Sequence, residues 1–125
     1  MNNELSPELF RVIDANLNRL KEGIRVVEDI IRYRDNNKEL ASKLKNLRHL
    51  AKVEETFELL KYRDSINDVL RPTIKSELNR SDIKSILLAN FKRAQESSRV
   101  LEELYKLSRA DYSENFKKSA TNFIL

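Results

Sequence analysis

Apolar residues recur at intervals of three and four along the first third of the chain: Phe10, Ile13, Leu17, Leu20, Ile24, Val27 and Ile31. That spacing draws one stripe along about six helical turns and predicts a helix to about Tyr33. Ser6-Pro7-Glu8 supplies its start: a hydroxyl cap, proline at the first helical position and an acid in the first turn. The polar "RDNN" ends the stripe, and Asn37 is the predicted cap of a second helix carrying Leu40, Leu44, Leu47, Leu50, Val53, Phe57 and Leu60. Residues 61–81 read as an irregular connector, with Asp64-Ser65, Asn67-Asp68 and Pro72 as turn material. Ser81-Asp82 then caps a third long helix, striped by Leu87, Phe91, Ala94, Ser98, Leu101 and Tyr105. A polar break at residues 109–113 precedes a last helix holding Phe116 and Phe123. With no strand pattern, these elements predict an all-α, antiparallel bundle of four main helices in one domain, residues 1–125. Half-repeats 7–60 and 82–124 would be related by a pseudo-two-fold axis across the connector.

The expectation of symmetry comes from a repeat. "ANLNRLKEGIRVVED", residues 15–29, returns 74 residues later as "ANFKRAQESSRVLEE", with seven of fifteen positions identical. Most of the survivors are polar, whereas packing asks only for apolar residues at the right period. On a helical wheel Asn16, Arg19 and Gly23 fall on one shoulder of the apolar stripe, among Val12, Val26 and Ile30. Asn90, Arg93 and Ser97 fall at the same angles on the later helix, among Ile86, Val100 and Leu104. Gly23 leaves room there for another backbone or a ligand. Two readings stay open. One is a salt-bridge ladder of Arg19, Glu22, Arg25 and Glu28, although a spacing of three drifts about 60° per step and cannot keep all four on a solvated face. The other is a polar cleft lined by two related helices, in which Glu22 and Glu96 hold Arg19 and Arg93 until a phosphate arrives.

Composition narrows the chemistry. Lys and Arg number 24 against 20 Asp and Glu, giving a net charge of +4 and a pI near 9.4. The two signs alternate and the excess is small, so it points to an anionic partner without singling out nucleic acid, which is not the expected partner. The absence of cysteine removes disulfides and thiolate metal sites. A single glycine excludes both glycine-rich phosphate loops, so phosphate would be gripped by side chains and helix N-termini. One histidine, His49, excludes a di-iron bundle built on paired Glu-x-x-His motifs. Mg²⁺, which needs only one or two carboxylates plus substrate phosphates, stays open, with Glu22, Glu96, Asp64 and Asp68 as candidates. No apolar run has signal-peptide or membrane-span length, so the expected location is cytoplasmic, without membrane contact.

"RVIDANLNRLKEGIRVVEDIIR", "LRHL", "YRDSINDV" and "LANFKRAQESSRVLEELYK" follow one another over roughly residues 9–108. Together they resemble the all-helical, monofunctional hydroxymethylpyrimidine phosphate kinases, which stand alone or are fused to the N-terminus of thiamin phosphate synthase. The resemblance implies transfer of the ATP γ-phosphoryl, with Mg²⁺, to 4-amino-5-hydroxymethyl-2-methylpyrimidine phosphate, giving the diphosphate. "YRDSINDV" is similar to the family's Arg-Asp-x-x-x-Asp-Val connector and implies catalytic roles for Arg63, Asp64 and Asp68. Asn67 stands where that family has glycine, and "FKKSATNFIL" lacks its arginine–aromatic pair. Together with the repeat, the resemblance implies substrate or nucleotide contacts at Asn16, Arg19, Arg25, Arg48, His49, Asn90, Lys92 and Arg93, and metal contacts at Glu22 and Glu96. A phosphate acceptor is largely ionised near neutrality, its second pKa being about 6, so no strong base is required. Positioning and charge neutralisation suffice. With nothing after Leu125, the stand-alone form is expected, its partners being small molecules, with association with thiamin phosphate synthase or into a homo-oligomer left open. Two rivals remain. "LFRVIDANLNRL" is also similar to the arginine-bearing first helix of all-helical chorismate mutases, and a non-enzymatic helical module binding an anionic partner fits the charge.

Overall fold

In the computed structural model, residues 5–54, 61–63 and 82–122 are described. Four α-helices account for most of them: α1 Pro7–Asp29, α2 Lys38–Leu50, α3 Ile83–Tyr105 and α4 Ala110–Asn122. No strand occurs among the described residues, and no helix there is long and apolar enough to cross a membrane. The predicted all-α class is correct, and each half of the chain sets a helix of 23 residues before one of 13.

Local chemistry sets most helix ends where the sequence places them. Ser6 Oγ accepts the Leu9 amide at 3.3 Å, Asn37 Oδ1 accepts that of Leu40 at 3.1 Å, and Asp82 Oδ1 accepts that of Ser85 at 2.7 Å. Between α1 and α2 the helix does not simply stop. It widens into a π-helical turn, Ile30–Arg34, in which the Asp35 amide reaches the Ile30 carbonyl and the Asn37 amide reaches that of Ile31. Asn36 closes the turn at a φ of 51°, a left-handed conformation that asparagine tolerates better than most residues.

Two expected boundaries shift. The apolar pattern carried the second helix to Leu60, but α2 ends at Leu50. Ala51, at φ −78° and ψ 70°, makes an inverse γ-turn in which the Lys52 amide bonds to the Leu50 carbonyl at 2.9 Å. That turn carries Ala51 and Val53 into the core and leaves Leu50 exposed. The break expected at residues 109–113 falls earlier, because the Ser113 amide already bonds to the Arg109 carbonyl and α4 is under way. Asp111, read as breaker material, instead supplies acid to the first turn of α4, and the Ser113 hydroxyl donates to the Glu102 carbonyl at 2.8 Å. Phe57, Leu60, Ser81 and Phe123 lie outside the described residues.

The helices pack in the order α2–α1–α3–α4, with α1 against α3 as the principal contact. That order is palindromic, as a two-fold through the α1–α3 seam would produce. Ile13, Leu17, Leu20, Ile24 and Val27 bring the α1 stripe into one core with Ala94, Leu101 and Tyr105 of α3, Leu44 of α2 and Phe116 of α4. The Tyr105 ring meets Tyr112 edge-on at 5.2 Å and stacks on Phe116 at 5.9 Å.

Gly23 explains itself at the seam. A β-carbon there would lie 2.9 Å from the Asn90 carbonyl oxygen and 3.4 Å from the Ala94 nitrogen. Of the two uses foreseen for its missing side chain, the room is taken by another backbone. Replacing a helical glycine by alanine ordinarily gains about 1 kcal/mol. Here the new methyl must push two helices apart, an overpacking cost of about 1–3 kcal/mol. Gly23→Ala is therefore expected to lose about 1 kcal/mol in urea unfolding, and an increase in stability would show that the seam yields freely.

Candidate functional site

The repeated asparagines are buried and use one device. Asn16 Nδ2 donates to the Val12 carbonyl at 2.9 Å, and Asn90 Nδ2 donates to that of Ile86 at 2.8 Å. Each amide thus satisfies its donor within its own helix. Its oxygen stays available to something else. Asn90 Oδ1 accepts from Arg93 Nη1 at 3.2 Å, whereas Asn16 Oδ1 meets no donor among the described residues.

Arg19 and Arg93 depart from the expectation that they are buried on the shoulder of the stripe. Both are exposed. Their backbones start beside the core, but a long aliphatic stem lets the guanidinium reach water, and the desolvation cost disappears. Glu22 and Glu96 are exposed too, and neither forms an ion pair with the arginine three residues before it. The salt-bridge ladder fares no better in these halves of the repeat. Arg25 pairs with Asp29 at 3.2 Å and Glu28 turns to α2, while in the second copy Arg99 Nη1 pairs with Glu102 at 2.8 Å. Each repeat therefore divides into an Asn–Arg half without carboxylate partners and a later half that is ion-paired.

That division singles out a few cations. Arg25, Arg34, Arg48, Arg63, Arg99 and Arg109 each hold a carboxylate. Arg19, Arg32 and Arg93 hold none among the described residues. Gly23 rests on the turn from Asn90 to Ala94, so Arg93 lies on the contact turn itself and Arg19 one turn before Gly23. These two arginines, free of carboxylates, thus flank the α1–α3 crossing beside the buried asparagines, and with Arg93 Nη1 on Asn90 Oδ1 each keeps donors suited to capture of phosphate oxygens.

Three buried carboxylates among the described residues, Glu28, Asp14 and Glu102, escaped the sequence reading. Glu28, 1% exposed, accepts from Arg48 Nε at 2.8 Å and Nη2 at 3.3 Å, tying α1 to α2. Burial opposes its ionisation, but the Arg48 hydrogen bond and the charges of Arg48, Arg25 and Arg32 together outweigh that and hold the carboxyl below its ordinary range. A signal for it existed, since Glu28 and Glu102 are the last of the seven repeated identities. Asp14 gave none. It accepts from one edge of the Arg63 guanidinium, from Nε at 2.8 Å and Nη2 at 2.7 Å, while Tyr62 stacks on Phe10 with ring centroids 6.3 Å apart. Arg63, expected among the catalytic residues, commits its Nε–Nη2 edge to that carboxylate and ties residues 61–63 to α1. Asp64 and Asp68 lie outside the described residues. His49 and Lys92 are exposed, and Arg48 is committed to Glu28. No group of three or more His, Asp or Glu converges as a metal cage among the described residues. Glu22 and Glu96 are free to serve as single ligands.

Removing Arg48 would strand a buried carboxylate, a change that costs about 3–5 kcal/mol. Arg48→Met is expected to lose about 3 kcal/mol, and Glu28→Met on top of it should restore most of that. The unfolded carboxyl titrates near about 4.3. With the folded value lower, the pair's contribution is complete above that pH and drains away as pH falls through the folded value. Urea unfolding from about pH 6 to about pH 3 should show a shallower acid limb in Glu28→Gln than in the parent, and equal limbs would exclude the pair as a source of acid sensitivity.

The chain is 41% identical over 112 residues to a thiamine-phosphate synthase of Nostoc punctiforme, covering 89% of this chain and 31% of that protein. It is 43% identical over 100 residues to one from Synechocystis sp., covering 79% and 29%, and 34% identical over 118 residues to one from Rhodopirellula baltica, covering 90% and 32%. The chain thus spans about 30% of the length of the curated relatives it matches. No solved structure matches it. The model of the ThiD2 family matches residues 11–121, which takes in almost all of both repeated helices, and the chain belongs to the ThiD2 family.

Proposed function

We propose that this chain is a phosphotransferase of thiamin biosynthesis, moving the γ-phosphoryl of ATP onto 4-amino-5-hydroxymethyl-2-methylpyrimidine phosphate to give the diphosphate. The observation that carries this reading is the pair of carboxylate-free arginines, Arg19 and Arg93, one on each helix of the α1–α3 crossing. Two phosphorylated substrates must meet in such a reaction, and the mutual repulsion of their charges is the first barrier. Two guanidinium groups on one seam offset that repulsion and orient the phosphates, which is most of what phosphoryl transfer demands of a protein. The attacking atom is an oxygen of the acceptor phosphate, already ionised. It bonds to the γ-phosphorus as the bridge to the β-phosphate breaks, and ADP carries the electron pair away. No proton need be removed.

The unpartnered carboxylates of Glu22 and Glu96 fit a hard cation shared with substrate phosphates, and Mg²⁺ bound there would supply further neutralisation of charge. The Asn16 and Asn90 oxygens are acceptors suited to the amino group of a pyrimidine or an adenine. Arg63 acts through Asp14 by fixing the point from which the connector, with Asp64 next in sequence, leaves α1. Membership of the ThiD2 family and likeness to proteins named thiamine-phosphate synthase support the pathway, and a resident kinase alongside a synthase is a coherent pairing.

Incubation with ATP and Mg²⁺ should convert the pyrimidine phosphate to its diphosphate and leave the unphosphorylated alcohol untouched. Comparable turnover of the alcohol would remove the arginine handle from the mechanism, and turnover of chorismate instead would favour the mutase-like rival. Arg19→Lys and Arg93→Lys should both fold, because both side chains are exposed. Each is expected to lose about tenfold to a hundredfold in kcat/KM, since lysine presents no fork. One variant should raise the KM for ATP and the other that for the acceptor, whereas normal kinetics in both would make the repeat structural. Asp68→Asn should lower turnover with an unchanged Tm, and full activity would exclude that carboxylate.

A further inference from the structure

Where α1 widens into its π-helical turn and the chain reverses into α2, a cleft of about 320 Å³ opens. Arg32, Asn36, Lys38, Ser42 and Lys45 line it, and the buried Glu28 borders it. The cleft lies well away from the arginines of the α1–α3 crossing, since Arg32 is thirteen residues beyond Arg19, about 20 Å of helix.

Its charges are unbalanced. Arg32, Lys38 and Lys45 make no ion pair with any described residue, while the nearby Arg25, Arg34, Lys43 and Arg48 are each paired. Glu28 attracts Arg32, but Arg48 takes both its oxygens and already offsets its single charge, so the excess remains. The Arg32 guanidinium lies 4.9 Å from the centroid of the Tyr33 ring, a contact that steadies the cation without neutralising it. Three converging cations repel one another, and nothing in the packing of α1 on α2 requires them. The Lys38 amide, first in α2, has no acceptor among the described residues and adds to the positive potential.

The excess is too large for one phosphate, which carries a charge of about −1.5 to −2. The volume is also at the small end of ligand sites, with room for a chain of phosphates and little beyond it. We infer that this cleft binds the polyphosphate arm of a small molecule, two or three phosphates long, through Arg32, Lys38 and Lys45. A nucleoside triphosphate and an organic diphosphate share that chemistry. The inference stands on the cleft alone and does not require the phosphotransferase reading.

The test is titration of the intact ¹⁵N-labelled chain with inorganic tripolyphosphate, pyrophosphate, ATP and orthophosphate at low ionic strength and without metal. Tripolyphosphate is expected to shift the amides of residues 36–42 and Lys45 first, and to bind at least about tenfold more tightly than orthophosphate. Lys38→Gln with Lys45→Gln should weaken it about a hundredfold, each exposed cation accounting for about tenfold. Lys43→Gln, which removes a charge on α2 outside the cleft, should leave binding unchanged. ATP tighter than tripolyphosphate at the same amides would identify a nucleotide as the source, and pyrophosphate equal to tripolyphosphate would identify a diphosphate. Shifts scattered over the surface, or equal loss in Lys43→Gln, would overturn the inference. Absence of kinase activity in the parent chain, with tripolyphosphate still bound at the cleft, would count against the phosphotransferase reading and leave the cleft standing.

Discussion

The bundle depends on one backbone contact. Gly23 of α1 lies so close to the Asn90 carbonyl of α3 that the two long helices meet nearly backbone to backbone. Close approach in the middle of two 23-residue helices explains the residues around it. Ala94, Ser97 and Ser98 are small and buried, and Leu17 and Leu20 fill the space on the α1 side. Asparagine can be buried at such a seam only if its amide group finds acceptors without help from the opposite helix. Both copies solve this by bonding back to the carbonyl four residues earlier. The seam also settles where the arginines emerge, because the turns that make the contact are the turns that carry them.

Much of the fold was legible because it rests on period and caps. Every member of the α1 stripe is buried or half-buried, and Ser6, Asn37 and Asp82 cap as their side chains suggest. The end of α2 was not legible. Leu50 and Val53 keep helical spacing, and only the turn at Ala51 separates an exposed leucine from a buried valine. The same limit applies to the site. Wheel angles place a Cα on a shoulder but cannot say whether an arginine folds inward or reaches outward, and both repeated arginines reach outward. Asp14 could not be found from spacing, because its partner Arg63 is 49 residues away and the pair exists only after the connector folds back on α1.

The two copies also assign the same carboxylate to different work. Glu28 holds a neighbouring helix through Arg48, whereas Glu102 stays within its own helix, paired with Arg99 and, at 3.9 Å, with Lys106. The first copy therefore anchors the turn into α2, and the cationic cleft forms just there. In the second copy the corresponding passage from α3 to α4 runs through Lys106 and Arg109, both paired, and the excess of positive charge does not arise.

In terms of assembly, the α1–α3 seam has the form of an isologous dimer interface contained in a single chain, each half presenting the same surface to the other. A dimer of separate identical halves would carry every substitution twice, so a change that helped one side would have to be tolerated on the other. Covalent fusion removes that constraint. Glycine at 23 opposite serine at 97, and a bridge to Arg48 opposite one to Arg99, are differences that only joined halves can keep. Duplication provides the frame, and fusion lets its two halves diverge.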